Sequence, residues 1–460
     1  MEQTVTFDLD LIRRYDAAGP RYTSYPTAVE FDEKFNANSY QKQVALSNQR
    51  SGPLSLYFHL PFCDTVCFYC ACNKIITKNR KHAEPYLANL HKEIAMQAAL
   101  FDSDRVVEQL HWGGGTPTFI SHDQMRELMA VTRQHFNLAD DDNGEVSIEI
   151  DPREADAETI AILREIGFNR ISLGVQDFNP QVQKAVNRIQ SEEETIAVID
   201  AARANGFRSV SLDLIYGLPL QTADSFSETL DKIIDINPDR ISVFNYAHLP
   251  ERFKVQRQMR DEDMPLPAVK LEILQRSIEQ LTAAGYVYIG MDHFAKPDDE
   301  LAIAQRENNL YRNFQGYSTH SECDLIGFGI TSIGSVGDSY SQNQRTLEEY
   351  AASIKNNELP VFRGITLDED DKIRRKVITK LICHFSLDIV AIEKELNINF
   401  ADYFADVYPK LDQFSVDNLL EYNATSIKVL PAGHLLIRTI CMAFDRYIQQ
   451  KTTQRFSKVI

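Results

Sequence analysis

Six short apolar runs recur through the middle of the chain, each separated from the next by a polar or helix-periodic stretch, and this alternation restricts the fold more than any other feature. They are LSLYFHL from residue 54, VEQLHW from 107, VSIEI from 146, RISLGV from 170, SVSLDLIYG from 209 and RISVFNY from 240. Runs of this kind read as parallel strands buried on both faces. Between them lie the amphipathic segments HAEPYLANLHKEIAMQAAL, AETIAILREIG, EETIAVIDAARANG and DSFSETLDKIIDI, several closed by the Gly that a helix C-terminus favours. Strand, helix, strand at spacings of roughly 25 to 50 residues implies βα units joined by right-handed crossovers.

Six units predict an α/β fold built on an open, partial (β/α)6 barrel over residues 51–362, because the alternation weakens after about residue 295. An open doubly wound sheet is the alternative. Either way function gathers at the carboxyl ends of the strands, which is where the polar punctuation falls: Cys63, GGGTPT, Asp151-Pro152-Arg153, Gln176-Asp177 and Tyr216-Gly217-Leu218-Pro219. Residues 1–50, with RYTSYPTA, read as an N-terminal arm without clear periodicity. Residues 363–460 read as a separate, mostly helical domain with a strand-like SIKVLP and a final helix LLIRTICMAFDRYIQQK.

The formal net charge of -18 disfavours nucleic acid and anionic membrane surfaces as partners. MEQTVTFDLD lacks the features of a signal peptide, and no run of about 18 apolar residues occurs, so the expected location is the cytoplasm. Structural disulfides are rare there, which turns attention to the segment CDTVCFYCAC, where four of the seven cysteines fall within residues 63–72. Cys323, Cys383 and Cys441 are scattered and read as small apolar residues.

Structural zinc takes two separated ligand pairs, and no second pair is present. A thioredoxin-like dithiol needs only C-x-x-C and leaves Cys63 unexplained. Three thiolates spaced C-x3-C-x2-C on one loop suit a 4Fe-4S cubane with one iron left open for a chelating molecule.

At this point the chain resembles the radical S-adenosylmethionine superfamily, whose motif is C-x3-C-x2-C after the first strand of a partial barrel. LYFHLPFC, Cys72, HWGGGTPT, IEIDPRE, GVQDFN, DLIYGLP, VFNYAHLP and GMDHFAKPDDELA narrow the likeness to the oxygen-independent coproporphyrinogen III oxidases, from RYTSYPT to the C-terminus. The resemblance implies Cys63, Cys67 and Cys70 as ligands of the cluster. It implies a first S-adenosylmethionine near Tyr57, the main chain of Gly114, Gly115 and Thr116, the Glu149 carboxylate and Ile333. It implies a second near Tyr69, Gln176, Arg188, Asp213 and the Ala247 backbone. Cys72 is implied to be functionally required, and with Tyr57 it is assigned to the catalytic set.

Each assignment has a plainer alternative. Tyr57 could be a core aromatic, Gly113 to Gly115 a tight turn and Glu149 half of a salt bridge, although three adjacent glycines are costly to order for a turn alone. Gln176, Arg188 and Asp213 are ordinary polar groups at strand ends when taken singly, and Tyr69 could be a loop aromatic. Met291, Asp292 and His293 read equally as a substrate-facing patch or a strand end. Tyr311 stands where the likeness leads one to expect His, a departure that bears on any basic substrate contact at that position.

The implied activity is oxidative decarboxylation of two propionates of coproporphyrinogen III to the vinyls of protoporphyrinogen IX in heme biosynthesis. A 5′-deoxyadenosyl radical from S-adenosylmethionine would carry the hard step, which exceeds side-chain acid and base chemistry. A small electron-donor protein such as a flavodoxin or ferredoxin is an implied partner, and the chain is expected to be a monomer. The rivals are a heme-binding chaperone, which would lack Cys72 and the arm, a zinc protein, and another radical enzyme such as a methyltransferase.

Overall fold

All six apolar runs are strands in the computed structural model, which describes residues 5–15, 17–139 and 143–450. They are β1 (Leu54–Leu60), β2 (Val106–Gly114), β3 (Glu145–Ile150), β4 (Arg170–Gln176), β5 (Ser209–Tyr216) and β6 (Arg240–Asn245). They lie side by side in this order, each parallel to the next. A doubly wound sheet reverses direction at a switch point, and these six strands never do.

A helix follows each strand: α1 (Ala83–Ala98), α2 (His122–His135), α3 (Ala157–Glu165), α4 (Glu192–Ala204) and α5 (Ala223–Ile236) after the first five, and Pro267–Ala283 after β6. Their starts are encoded locally. Ser121, Ser191 and Thr222 each form a capping box with the residue three places on, which satisfies the first free N–H groups. Gly167 and Gly206 follow α3 and α4 at φ +108° and +74°, a conformation that would strain other residues.

The region where the alternation fades adds β7 (Asp324–Phe328), which pairs parallel with the free edge of β1. Antiparallel β8 (Ile333–Val336), β9 (Ser339–Asn343) and β10 (Val361–Thr366) extend the sheet from there. Between the sheet and its helices sits an apolar layer that includes Phe58 stacked on Phe328 and Trp112 edge-on to Phe168.

The compact units interleave in sequence. Residues 30–270 and 322–366 form one, and the described residues up to 29, 271–321 and from 367 onward form the other. This division groups residues 30–50 with the sheet and residues 271–321 with the residues from 367 onward. The arm divides because helix Ala37–Asn48 packs on β8 and β9. That helix buries only Tyr40, Val44 and Ser47, too thin a stripe to stand out as a period.

The second unit contains helix Glu369–His384 and a three-stranded sheet with Ser426–Val429 between Ser386–Asp388 and Leu420–Tyr422. The expected final helix is two pieces, Ile437–Met442 and Arg446–Gln450. Asp445 causes the break, its carboxylate accepting from the N–H groups of Tyr447 and Ile448 as an N-cap does. Cys383 and Cys441 are buried as expected of apolar residues, and Cys323 is half-buried. Among the described residues no helix is long and apolar enough to cross a membrane.

Candidate active site

β1 delivers the chain through Pro61 into the cysteine loop, which is pinned at both ends. Phe62–Cys63 pairs with Ile75–Ile76, and the N–H of Thr77 donates to the Cys63 carbonyl at 3.0 Å. Inside the loop the Cys70 N–H reaches the Cys67 carbonyl at 3.2 Å, and Lys74 Nζ donates to the Cys70 carbonyl at 2.8 Å. From the segment after β4, Asn187 donates to the Val66 carbonyl at 2.7 Å, while the Phe68 N–H reaches Val186 at 2.9 Å. All four cysteines are free thiols; Cys67 is buried, Cys63 and Cys70 half-buried, and Cys72 exposed.

Two guanidinium groups converge on Cys67. Arg188 Nη1 lies 3.6 Å and Arg153 Nη2 3.7 Å from its Sγ. The same arginines hold Asp151 at 2.8 and 2.7 Å. Burial works against the Asp151 charge, but the pair of arginines outweighs it and keeps the carboxyl below its ordinary range. Burial pushes the Cys63 thiol up to about 11, opposed by a hydrogen bond with Thr116. A hydrogen bond between the Cys70 and Cys72 thiols draws Cys70 down and lifts Cys72. Cys72 thus joins the loop through Cys70.

Tyr57 is the register partner of His111 on β2 and stacks on it at 5.9 Å. Its hydroxyl lies 3.2 Å from His59 Nδ1, so both side chains share one face as their spacing predicts. His59 Nε2 lies 3.0 Å from the Asn73 carbonyl beyond the cysteine loop, and burial lowers its pKa. On β3, Glu149 accepts from the Gly114 N–H at 3.1 Å and from His111 Nε2 at 3.4 Å. Surrounding protein raises the cost of its charge, yet His111 and the Gly114 N–H prevail and hold it below the usual value. Solvent still reaches this carboxylate, whose side chain is 48% exposed.

The glycines answer first to the protein. A Cβ on Gly113 would come within 3.0 Å of the Glu149 carboxylate, one on Gly114 within 2.7 Å of the His59 ring, and one on Gly115 within 2.7 Å of the Pro61 and Phe62 main chain. Gly114 also has φ +115°, so its conformation alone calls for Gly. The N–H groups of Gly115 and Thr116 are engaged by the Leu60 and Phe62 carbonyls, each at 2.8 Å. These close approaches to the protein's own groups favour glycine at all three positions.

Gln176 ends β4 at φ +68°, beside a register shift in its pairing with β5. Gly174 makes room there, since a Cβ would meet Gln176 Nε2 at 2.6 Å and Arg188 Nη2 at 3.1 Å. Asp213 on β5 accepts from Ser172 at 3.0 Å and is pushed up to about 6, by burial first and then by the Glu149 charge. Ala247 is exposed just after β6, and its carbonyl accepts from Gln256 Nε2 at 3.3 Å. The same amide donates to the Tyr69 carbonyl at 3.2 Å, and the Tyr69 ring packs against Val182, Val186, Leu218, Tyr246 and Met259. Ile333 opens β8 with its backbone against Gly327, the register partner of Tyr57 on β7.

His111, Asp151, Arg153 and Gln256 also belong to this constellation. Only Asp151 and Arg153 carried a signal, as charged residues directly after a strand. Met291, Asp292, His293 and Tyr311 fall in the second unit, where Asp292 pairs with Arg21 and the His293 ring meets Tyr317 edge-on at 5.3 Å.

Residues 57–233 match the sequence profile of the Radical SAM superfamily. The chain is 55% identical over 460 residues, the full length of both, to an oxygen-independent coproporphyrinogen III oxidase of Pseudomonas aeruginosa. It is 50% identical to the Escherichia coli protein of that name, over 100% of this chain and 99% of the other. Among solved structures, a coproporphyrinogen III oxidase from Escherichia coli, described as a radical SAM enzyme, superposes with a TM-score of 0.92 at 49% identity, covering 97% of this chain and 100% of that one.

Proposed function

The chain belongs to the oxygen-independent coproporphyrinogen III oxidases of the radical SAM superfamily, and from that premise we propose that it converts two propionates of coproporphyrinogen III to vinyls, giving protoporphyrinogen IX without oxygen. The observation that carries this reading is the cysteine loop at the carboxyl end of β1, in a chain that matches these oxidases over its whole length.

The donor set fits a 4Fe-4S cluster. Cys63, Cys67 and Cys70 are free on one pinned loop, and the two guanidinium groups beside Cys67 suit a ligand that must be a thiolate. These three residues would hold the cluster, leaving one iron to be chelated by S-adenosylmethionine. When bound, the pair supplies a 5′-deoxyadenosyl radical able to take hydrogen from an unactivated propionate carbon, an abstraction that side-chain acids and bases cannot perform.

The chain's own residues bind, orient and exclude water. Glu149 is held below the usual carboxylate range and is partly solvated, properties that suit ribose hydroxyls. The described N–H groups of Gly114, Gly115 and Thr116 already have acceptors, so an ammonium ligand there would be met by carbonyl oxygens. Tyr57 and Ile333 line the same side. Tyr69, Gln176, Arg188, Asp213 and the Ala247 carbonyl form a second group suited to a second S-adenosylmethionine. Cys72, hydrogen-bonded to Cys70, is assigned to the catalytic set with Tyr57. We assign catalysis to residues 51–362 as a partial (β/α)6 barrel with a C-terminal domain from 363, acting as a cytoplasmic monomer reduced by a small carrier protein.

The test is an anaerobic assay of iron-reconstituted protein with reductant, an electron acceptor, S-adenosylmethionine and coproporphyrinogen III. Both 5′-deoxyadenosine and protoporphyrin should form, and a Cys67→Ser variant should give neither. Deoxyadenosine with untouched porphyrinogen would keep the radical chemistry and overturn the substrate.

A further inference from the structure

The acidic chain carries one basic stretch beside its cysteine loop. Residues 73–82, NKIITKNRKH, contain Lys74, Lys78, Arg80 and Lys81 with no Asp or Glu, against a net charge of -18 for the whole protein. The structure divides the work among these cations. Lys74 donates to the carbonyls of Cys70 and Cys72 at 2.8 and 3.5 Å. Arg80 is an anchor, bonded to the Phe119 carbonyl at 2.5 Å, Asp64 at 2.6 Å and Glu154 at 2.9 Å. Lys78 and Lys81 are exposed and have no ion-pair partner among the described residues.

The turn that presents them is pre-organised. Thr77 Oγ1 accepts from the Asn79 N–H at 3.1 Å, and the Asn79 side chain accepts from the Lys81 N–H at 3.2 Å. Ile76, 42% exposed, adds an apolar surface beside the lysines. Ile76 is also the register partner of Cys63, and the next N–H, of Thr77, bonds the Cys63 carbonyl at 3.0 Å. The exposed turn is therefore one hydrogen bond from the main chain of a cysteine assigned to the cluster.

We propose that the face formed by Ile76, Lys78 and Lys81 docks a small acidic one-electron carrier protein, which delivers its electron beside Cys63. The inference rests on the cluster reading above. An anionic carrier is repelled by the net charge of the chain and drawn to exposed cations, and at this stretch such an approach ends at the cysteine loop. One electron leaves the carrier and enters the cluster, with no bond or proton exchanged.

The experiment compares two reductants on iron-reconstituted wild type and a Lys78→Glu/Lys81→Glu variant of equal iron, sulfide and melting temperature. Bleaching of cluster absorbance is followed by stopped flow with a reduced acidic flavodoxin and, separately, with photoreduced 5-deazariboflavin, which is neutral. The variant should be reduced by flavodoxin at least about tenfold more slowly at low salt and lose the wild-type salt dependence. A Lys78→Arg/Lys81→Arg variant should keep both, and deazaflavin should reduce all three alike. Equal flavodoxin rates and salt dependence in wild type and the Glu variant would overturn the proposal, as would a wild type that deazaflavin reduces and flavodoxin does not. A wild type that neither reductant bleaches would instead overturn the cluster reading.

Discussion

Glu93 on α1 should make this protein lose stability as pH rises through neutrality. The side chain is fully buried and accepts from the Gly329 N–H at 2.8 Å, the Tyr350 hydroxyl at 2.6 Å and the Asn343 amide at 2.7 Å. Burial still prevails over these donors and pushes its carboxyl from the ordinary 4.5 up to about 7. The folded chain then keeps a proton that the unfolded chain has already released. Its contribution is intact below pH 4.5 and is lost progressively up to about pH 7. At 1.36 kcal/mol per pH unit the interval is worth about 3 kcal/mol, of which about 2.5 kcal/mol falls between about pH 5 and about pH 8. Glu93→Gln abolishes the titration while turning an amide N–H toward the same donors, a penalty that does not change with pH. Urea unfolding of metal-free wild type and variant, followed by circular dichroism at both pH values, isolates the effect as a difference. That difference should move in the variant's favour by about 2.5 kcal/mol at the higher pH. A difference that stays flat would refute the assignment of a raised pKa to this buried carboxyl.

Three further outcomes follow from the site. Arg153→Gln removes one of the two donors to Cys67 Sγ, so the midpoint potential of the reconstituted cluster should fall, on the order of 60 mV for one charge-assisted hydrogen bond, in a titration monitored by electron paramagnetic resonance; an unchanged potential would separate Arg153 from the cluster. Glu149→Gln withdraws a negative charge that helps hold Asp213 at about 6, so the Asp213 carboxyl should titrate lower by difference infrared spectroscopy while burial keeps it above its ordinary value; no movement would show that the two carboxyls do not interact. Gly114→Ala places a Cβ 2.7 Å from the His59 ring on a backbone at φ +115°, which should cost about 1–3 kcal/mol and appear as a lowered melting temperature; a melting temperature matching wild type would mean the β2 end adjusts freely.

The βα repetition, the helix caps and the spacing of Cys63, Cys67 and Cys70 were legible in the amino-acid order because each is a local property. A strand buried on both faces must be apolar along its length, a helix start needs its acceptor within three residues, and thiols on one loop are close by covalent connection. Full-length likeness added residue assignments that no local pattern carries. The thin stripe of Ala37–Asn48, the break at Asp445 and the return of β7 to the edge of β1 were not legible, since burial of a few positions, one capping carboxylate and a distant strand pairing decided them. Tertiary structure alone brought Arg153 and Arg188 to Cys67 from 86 and 121 residues away. It alone set His111 and the Gly114 N–H against Glu149, and packed the glycine triplet against Glu149, His59 and the Pro61 main chain. Neighbours in a parallel sheet are chosen by register and crossover, and every crossover inserts a helix between residues that end up side by side. The sequence therefore determined which groups the protein owns, and the fold decided which of them meet.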